Sequence, residues 1–260
     1  MAGLFDKQAQ FYSDARPTYP GEWFSMLAQR TTHHSLAWDV GTGNGQAAIG
    51  VVEHYKKVIA TDISQAQLNH ALQHPRIHYF HTPLSMSDEE LVTIAGGENS
   101  VDLITVATAV HWFDLPRFYS IVNRVLRNPG GIIAVWGYTM MSVSPEFDPK
   151  MKSFLNSTLA YWHPNAKFLF DGYRTLPFPF ESVGLGSEGN PIPVDIQKEM
   201  SFEGFLAWLK SWSAINTAKE KGMDLLPEKL VKEFEIAWGG PKLVRSVVYK
   251  AFVLAGKVKL

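Results

Sequence analysis

Asp39-Val40-Gly41-Thr42-Gly43-Asn44-Gly45 is the stretch of this chain best equipped for chemistry. A carboxylate stands two residues ahead of three glycines set at alternate positions, with Thr42 between the first two. Glycine accepts a positive φ and has no Cβ, so a ligand can lie directly against such a backbone. A second carboxylate, Asp62, follows the apolar, partly β-branched run Val58-Ile59-Ala60-Thr61, and Ile63 comes next. The separation of roughly 20 residues between the glycines and Asp62 is what a βαβ unit needs to bring a carboxylate onto a ribose. A third candidate is His111, in Ala109-Val110-His111-Trp112-Phe113-Asp114. Its imidazole titrates near neutrality, which makes it the candidate catalytic base for an acceptor that must lose a proton. The other reading of His111 is a structural residue that shapes a pocket wall through its hydrogen bonds.

These residues need a framework, and the pattern around them supplies one. Apolar residues from Leu36 lead into the glycines as a strand, and the small-residue run 46–52 continues as a helix. The first free N–H groups of that helix point toward the glycine turn, where a negative group is favoured. Ser64 is placed to cap a helix reaching about His70, with Gln67 on its first turns. Residues 76–81 read as the third strand, and 101–107 as a fourth whose continuous apolar character suits burial on both faces. Thr82 and Leu84 then follow the third strand, and Ala107 and Thr108 end the fourth. A helix over 116–127, the turn Asn128-Pro129-Gly130-Gly131 and a fifth strand over 132–138 complete a repeating βα pattern. The expected fold is α/β: a doubly wound, mainly parallel, seven-stranded Rossmann-like sheet. Residues 194–197 would be strand 6, and residues 244–254 an antiparallel strand 7. Open sheets of this kind bind ligands at the carboxyl ends of their strands, where all three candidate segments fall.

Two cofactor classes use such a site. Dinucleotide enzymes need Gly-x-Gly-x-x-Gly and room for a pyrophosphate. An acidic residue two positions before the first glycine suits a ligand ammonium better than a pyrophosphate. Asp39-x-Gly41-x-Gly43-x-Gly45 resembles motif I of the class I S-adenosylmethionine-dependent methyltransferases. The resemblance implies S-adenosylmethionine as cofactor and S-adenosylhomocysteine as product. It implies Asp39 near the ammonium, Gly41, Thr42 and Gly43 near the methionine part, and Asp62 and Ile63 near the ribose. Gln67, Thr82, Leu84, Ala107 and Thr108 complete the implied cofactor site. Related enzymes often carry an acidic residue after strand 3 to accept from the adenine amine; here Thr82 and Pro83 stand there. Phe11-Tyr12-Ser13-Asp14-Ala15-Arg16-Pro17-Thr18-Tyr19-Pro20 resembles the N-terminal lid of small-molecule methyltransferases related to trans-aconitate methyltransferase. In that lid a tyrosine and an arginine close over the cofactor, which carries over to Tyr12 and Arg16. The Ala-Val-His-Trp-Phe-Asp segment resembles the post-strand-4 segment of the same subgroup. An NAD-dependent oxidoreductase and a non-catalytic S-adenosylmethionine-binding protein stand as alternatives, as does N-methylation of a small amine.

The last third of the chain is less periodic. Residues 141–180 are rich in aromatics and proline, too rich in core-type residues for a linker. This stretch is expected to cover the substrate side and, with Trp112, Trp136, Tyr138 and Ser211, to wall a pocket for a small, flat acceptor. The resulting layout is one domain: lid helices over 1–35, a cofactor-binding core over 36–140, a substrate-side insertion over 141–200, and C-terminal helices with the last strand over 201–260.

Bulk properties exclude several partners. A formal net charge of −1 offers no global attraction to nucleic acid or an anionic membrane. The chain has no cysteine, so disulfides and thiolate metal sites are ruled out. The histidines show no ligand spacing, and no metal is expected. No apolar run is long enough to span a bilayer, and residues 1–7 carry neither a signal-peptide core nor a myristoylation pattern. The expected setting is the cytoplasm, with a small-molecule acceptor as partner.

Overall fold

The computed structural model describes residues 16–259. Residues 1–15 of the expected lid, Tyr12 among them, lie outside the described residues. The first half alternates as the sequence pattern predicts: α1 Gly21–Ala28, β1 Leu36–Val40, α2 Gln46–Val52, β2 Lys57–Asp62, α3 Gln65–Asn69, β3 Ile77–His81, α4 Asp88–Ala95, β4 Leu103–Ala107, α5 Leu115–Val125 and β5 Ile132–Ser142. The second half contains α6 Asp148–Thr158, α7 Ala166–Phe170, β6 Glu181–Leu185, β7 Ile192–Ser201, α8 Phe202–Lys210, α9 Ser213–Glu220, α10 Glu228–Trp238 and β8 Val244–Lys257.

Local chemistry sets the helix starts. The Ser64 hydroxyl accepts from the Gln67 N–H at the head of α3, and Asp114 does the same for Arg117 at the head of α5. Ser87 and Glu90 form a reciprocal capping box on α4, which then stops at Gly96 in the left-handed region. Each such cap is worth about 1 kcal/mol.

The strands form an eight-stranded sheet in the order β3-β2-β1-β4-β5-β8-β6, with β7 also paired to β8. β1 to β5 run parallel. β8 is antiparallel to β5, β6 and β7. Its residues Ala255–Lys257 pair with β6 and Val244–Val253 with β7, so two strands divide one edge of β8 between them. This accounts for eight strands where the sequence suggests seven. The additional one, Glu-Ser-Val-Gly-Leu, shows no apolar alternation and owes its place to β8. Strand 6, expected over 194–197, is a ten-residue strand whose ladder to β8 is continuous from Ile192 to Ser201.

Period-two alternation divides the sheet's residues between two cores. Trp38, Ile59, Ile104 and Val135 face one layer, with Phe118, Val122, Tyr173 and Phe252. Ala37, Val58, Leu103 and Ala134 face the other, with Phe24, Leu27, Val51 and Trp136. A third core lies in the C-terminal half, where Phe147, Phe154, Phe205, Trp208, Trp212, Phe234, Trp238 and Tyr249 pack together.

Candidate active site

The turn between β1 and α2 is built from left-handed backbone. Gly41, Gly43 and Gly45 have φ of 66°, 56° and 86°. The glycines answer different demands. A Cβ on Gly41 would lie 2.7 Å from the Ala109 Cβ and 3.3 Å from the Phe113 ring, so this position is closed by the segment after β4. A Cβ on Gly43 would meet only the Gln67 Oε1, at 3.9 Å, and would otherwise project into open space. The carboxylate of Asp62 ties this turn to β2: one oxygen accepts from the Gly43 N–H at 2.7 Å and the other from the Ser64 N–H at 2.8 Å.

Asp39 lies beneath the turn and is fully buried. Its two oxygens accept from the Thr105 hydroxyl at 2.6 Å and the Thr42 hydroxyl at 2.5 Å. Burial pushes its carboxyl up to about 6, against the pull of those two hydroxyls and with a smaller upward push from the Asp62 charge. The Asp39 carboxyl therefore titrates close to neutrality.

Beyond β4 the chain turns sharply. Thr108 has φ 55°, a conformation that a β-branched residue rarely holds. Its N–H donates to the Trp136 carbonyl at 2.7 Å, and its hydroxyl lies 3.4 Å from the Tyr19 hydroxyl. A single turn of 3₁₀ helix, Val110–Trp112, then carries His111 to the back of this segment. His111 is buried, with Nδ1 3.1 Å from the Tyr173 hydroxyl, and its carbonyl accepts from Asn165 Nδ2 at 2.9 Å. Burial, aided by His163, lowers its imidazole to about 3, so it is neutral throughout the physiological range.

These segments surround a cavity of about 300 Å³ at the carboxyl ends of the parallel strands. Gly41, Thr42, Gly43, Asp62, Ile63, Gln67, Thr82, Leu84, Ala107 and Thr108 all line it, and so do Arg16, Trp112 and Tyr138. The pairing of β5 with β8 shifts register between Tyr138 and Met141, close to where Tyr138 reaches the cavity. Four residues singled out in the sequence are absent from its wall. Asp39 is held underneath by Thr42 and Thr105, and His111 is turned toward Tyr173. Trp136 is buried in the core, edge-on to Tyr19, Trp23 and Phe24, because that face of β5 points into the layer beneath α1. Ser211 contributes only its carbonyl, which accepts from Arg16 Nη2 at 2.9 Å while Arg16 Nη1 donates to the Tyr138 hydroxyl at 3.2 Å. The lining contains no residue from 141–200, among the described residues. Phe154 enters the third core and Tyr173, Phe178 and Phe180 the first, so these aromatics satisfy one another.

Other wall residues were not singled out as site residues: Tyr19, Asn44, Gln46, Phe113, Asp114 and Arg117. Asn44 and Gln46 adjoin the glycines, and Phe113 and Asp114 belong to the segment after β4, so proximity in the chain was their available signal. Arg117 reaches the wall while donating to Asp88 at 2.6 Å and to the Met86 carbonyl at 2.7 Å, a long-range arrangement with no local signature. Among the described residues no group of His, Asp and Glu is gathered that could hold a metal.

A family model described as a methyltransferase domain matches residues 38–135, the span that carries the glycine turn, Asp62 and the segment after β4. A protein of Dictyostelium discoideum named as a methyltransferase is 30% identical over 262 residues, covering 97% of this chain and 94% of its own. A Saccharomyces cerevisiae protein named as an S-adenosylmethionine-dependent methyltransferase is 32% identical over 149 residues, 54% of this chain and 47% of that one. The solved structure of a protein from Anaeromyxobacter dehalogenans, described as a type II methyltransferase, superposes with a TM-score of 0.78 at 33% identity, over 93% of this chain and 97% of the other. Nearly whole-length likeness in both sequence and structure, on top of the motif I turn, shows that this chain belongs to the class I S-adenosylmethionine-dependent methyltransferases.

Proposed function

We propose that the cavity binds S-adenosylmethionine along the ends of β1, β2 and β4 and transfers its methyl group to an oxygen of a small molecule held near Tyr19, Trp112 and Tyr138. The observation that carries the cofactor half is the pairing of Asp62 with the Gly43 turn. It presents a carboxylate and a side-chain-free backbone on one wall, a fit for ribose hydroxyls beside a methionine chain. The space a Cβ on Gly43 would fill supports the same fit. Arg16, at the end of the cavity marked by Tyr138, offers its planar donors to a carboxylate. The cofactor supplies a methyl group already activated on a sulfonium sulfur, so the protein's tasks are alignment and exclusion of water.

The choice of an oxygen acceptor rests on what the wall carries. No histidine lines the cavity among the described residues, and His111 is held neutral on the far side of its loop. A carboxylate is already ionised at neutral pH and needs no base, so it fits this wall better than an amine that must shed a proton. His111 is then a residue of the cavity's frame rather than its base. The aromatic wall and the small volume favour a compact acceptor over a protein or nucleic-acid strand. The resemblance to the trans-aconitate methyltransferase subgroup points the same way.

The test is methyl transfer from radiolabelled S-adenosylmethionine across a panel of carboxylic acids, phenols, amines, proteins and RNA. The expected product is a methyl ester or ether, the ester being released by mild base. Labelling of protein or RNA alone would overturn the small-molecule reading, and labelling of amines alone would overturn the oxygen reading.

A further inference from the structure

The segment after β4 has two faces. Thr108, Ala109, Trp112 and Phe113 look into the cavity, while His111 looks away and is only 4% exposed. The back of the segment is held by a stretch some fifty residues further on. Tyr173 meets His111 Nδ1, Asn165 donates to the His111 carbonyl, and the His163 ring packs 5.2 Å from Trp112. Tyr173 is itself fully buried at φ 61°, and Thr108 stands at φ 55°. Non-glycine residues persist in the left-handed region only where their surroundings over-determine them, at about 1–3 kcal/mol each. One such residue, Thr108, faces the ligand space three residues before His111, and the other, Tyr173, meets His111 from the core.

We propose that Tyr173 is a positioning residue of this methyltransferase, acting through His111 to hold strained Thr108 and the Trp112–Phe113 wall in the arrangement that receives the cofactor. The inference rests on the cofactor reading of the cavity given above. A neutral imidazole carries one N–H, and the Tyr173 hydroxyl, able to donate or accept, meets Nδ1 in either tautomer and so holds the ring in its orientation. Burial keeps His111 neutral, so the contact holds one form across physiological pH. The Asn165 bond to the neighbouring carbonyl fixes the backbone at the same residue. The ring and the main chain of His111 are thereby held together, three residues after the turn at Thr108.

Tyr173→Phe tests this in the whole protein, because it removes the hydroxyl and leaves the ring against Phe252, 4.8 Å away. The ¹⁵N resonance of His111 Nδ1 should shift, because its hydrogen bond is lost. S-adenosylhomocysteine binding, measured by calorimetry, should weaken about 10-fold, the size of one typical hydrogen bond converted to affinity. Thr108→Gly supplies the second arm, since glycine holds φ 55° without strain. In that background Tyr173→Phe should weaken binding by only about 2-fold, because the strain it restrained is gone. Equal losses in both backgrounds, or full affinity in Tyr173→Phe, would overturn the proposal and leave Tyr173 a packing residue. Failure of the unsubstituted protein to bind S-adenosylhomocysteine would overturn it too. That outcome would strike the cofactor reading first, and it is told apart by a His111 Nδ1 resonance that still shifts in Tyr173→Phe.

Discussion

Residues 36–138 and residues 139–259 both bury many aromatics, yet they build opposite interiors. The described residues that line the cavity run from Arg16 to Tyr138. In that half the strands end in left-handed turns whose glycines, carboxylates and hydroxyls face a space left unfilled. In the other half Phe147, Phe205, Phe234 and Trp238 meet ring to ring at centroid distances of 5.1–5.7 Å. Aromatic content therefore says little about a pocket. Rings with rings for neighbours close a core, and space persists where backbone turns and charged groups hold the walls apart.

The comparison can be broken by separating stability from binding. Phe205→Ala, at a fully buried residue surrounded by five rings, should cost about 3–5 kcal/mol in urea unfolding. The folded fraction should still bind S-adenosylhomocysteine within about 2-fold of normal, since additive effects are expected for distant sites. Weak binding there would mean the aromatic half shapes the cavity after all. Asp62→Ala should show the reverse: about 10²-fold weaker binding from losing charge-assisted hydrogen bonds, with a smaller stability change than Phe205→Ala. Unchanged calorimetric affinity would remove Asp62 from the site.

A finer test uses two of the buried titratable groups of the first half. The raised Asp39 contributes stability below its ordinary value of 3.8 and loses it as pH rises through about 6. The depressed His111 contributes above 6.5 and loses it as pH falls through about 3. A ligand with an ammonium group favours ionised Asp39, so S-adenosylhomocysteine affinity should rise about 10-fold between pH 5 and pH 7 and then level off. Asp39→Asn should flatten that profile, and a profile unchanged by the substitution would disconnect Asp39 from the ligand. The smallest effect belongs to Tyr138→Phe, which removes one acceptor for Arg16 and should weaken S-adenosylhomocysteine binding by about 3-fold. A loss as large as that of Asp62→Ala would make Tyr138 part of the cofactor's own binding set.

The parts of the molecule legible in the sequence are those set by local rules. Glycine spacing, Asp62 at a strand end, the Ser64 and Ser87 caps and the apolar runs of β1, β4 and β5 all follow from short-range preferences. α10, with its period of charged and apolar residues, falls at Glu228–Trp238 as its pattern indicates. The less legible parts depend on distant partners. β6 is a strand because β8 offers it an edge, and Trp136 is core because α1 covers its face of β5. His111 sits in a sequence that suits a catalytic base, and its orientation is decided by Tyr173, about sixty residues away. Arg16, Tyr138 and Ser211 meet through bonds spanning more than 120 residues, which no spacing rule reveals.

One consequence of the sheet's connectivity concerns the order in which the polypeptide is made. β5, β6 and β7 all take β8 as neighbour, and all three precede it in the chain. During synthesis from the ribosome, each must wait with an open row of backbone donors and acceptors until residues 244–257 emerge. The wait is longest for β5, which carries the buried Trp136 and Tyr138 and has over a hundred residues still to follow. An incomplete nascent chain halted before β8 would present that edge to its neighbours on the same message, the kind of surface that seeds strand-to-strand aggregation.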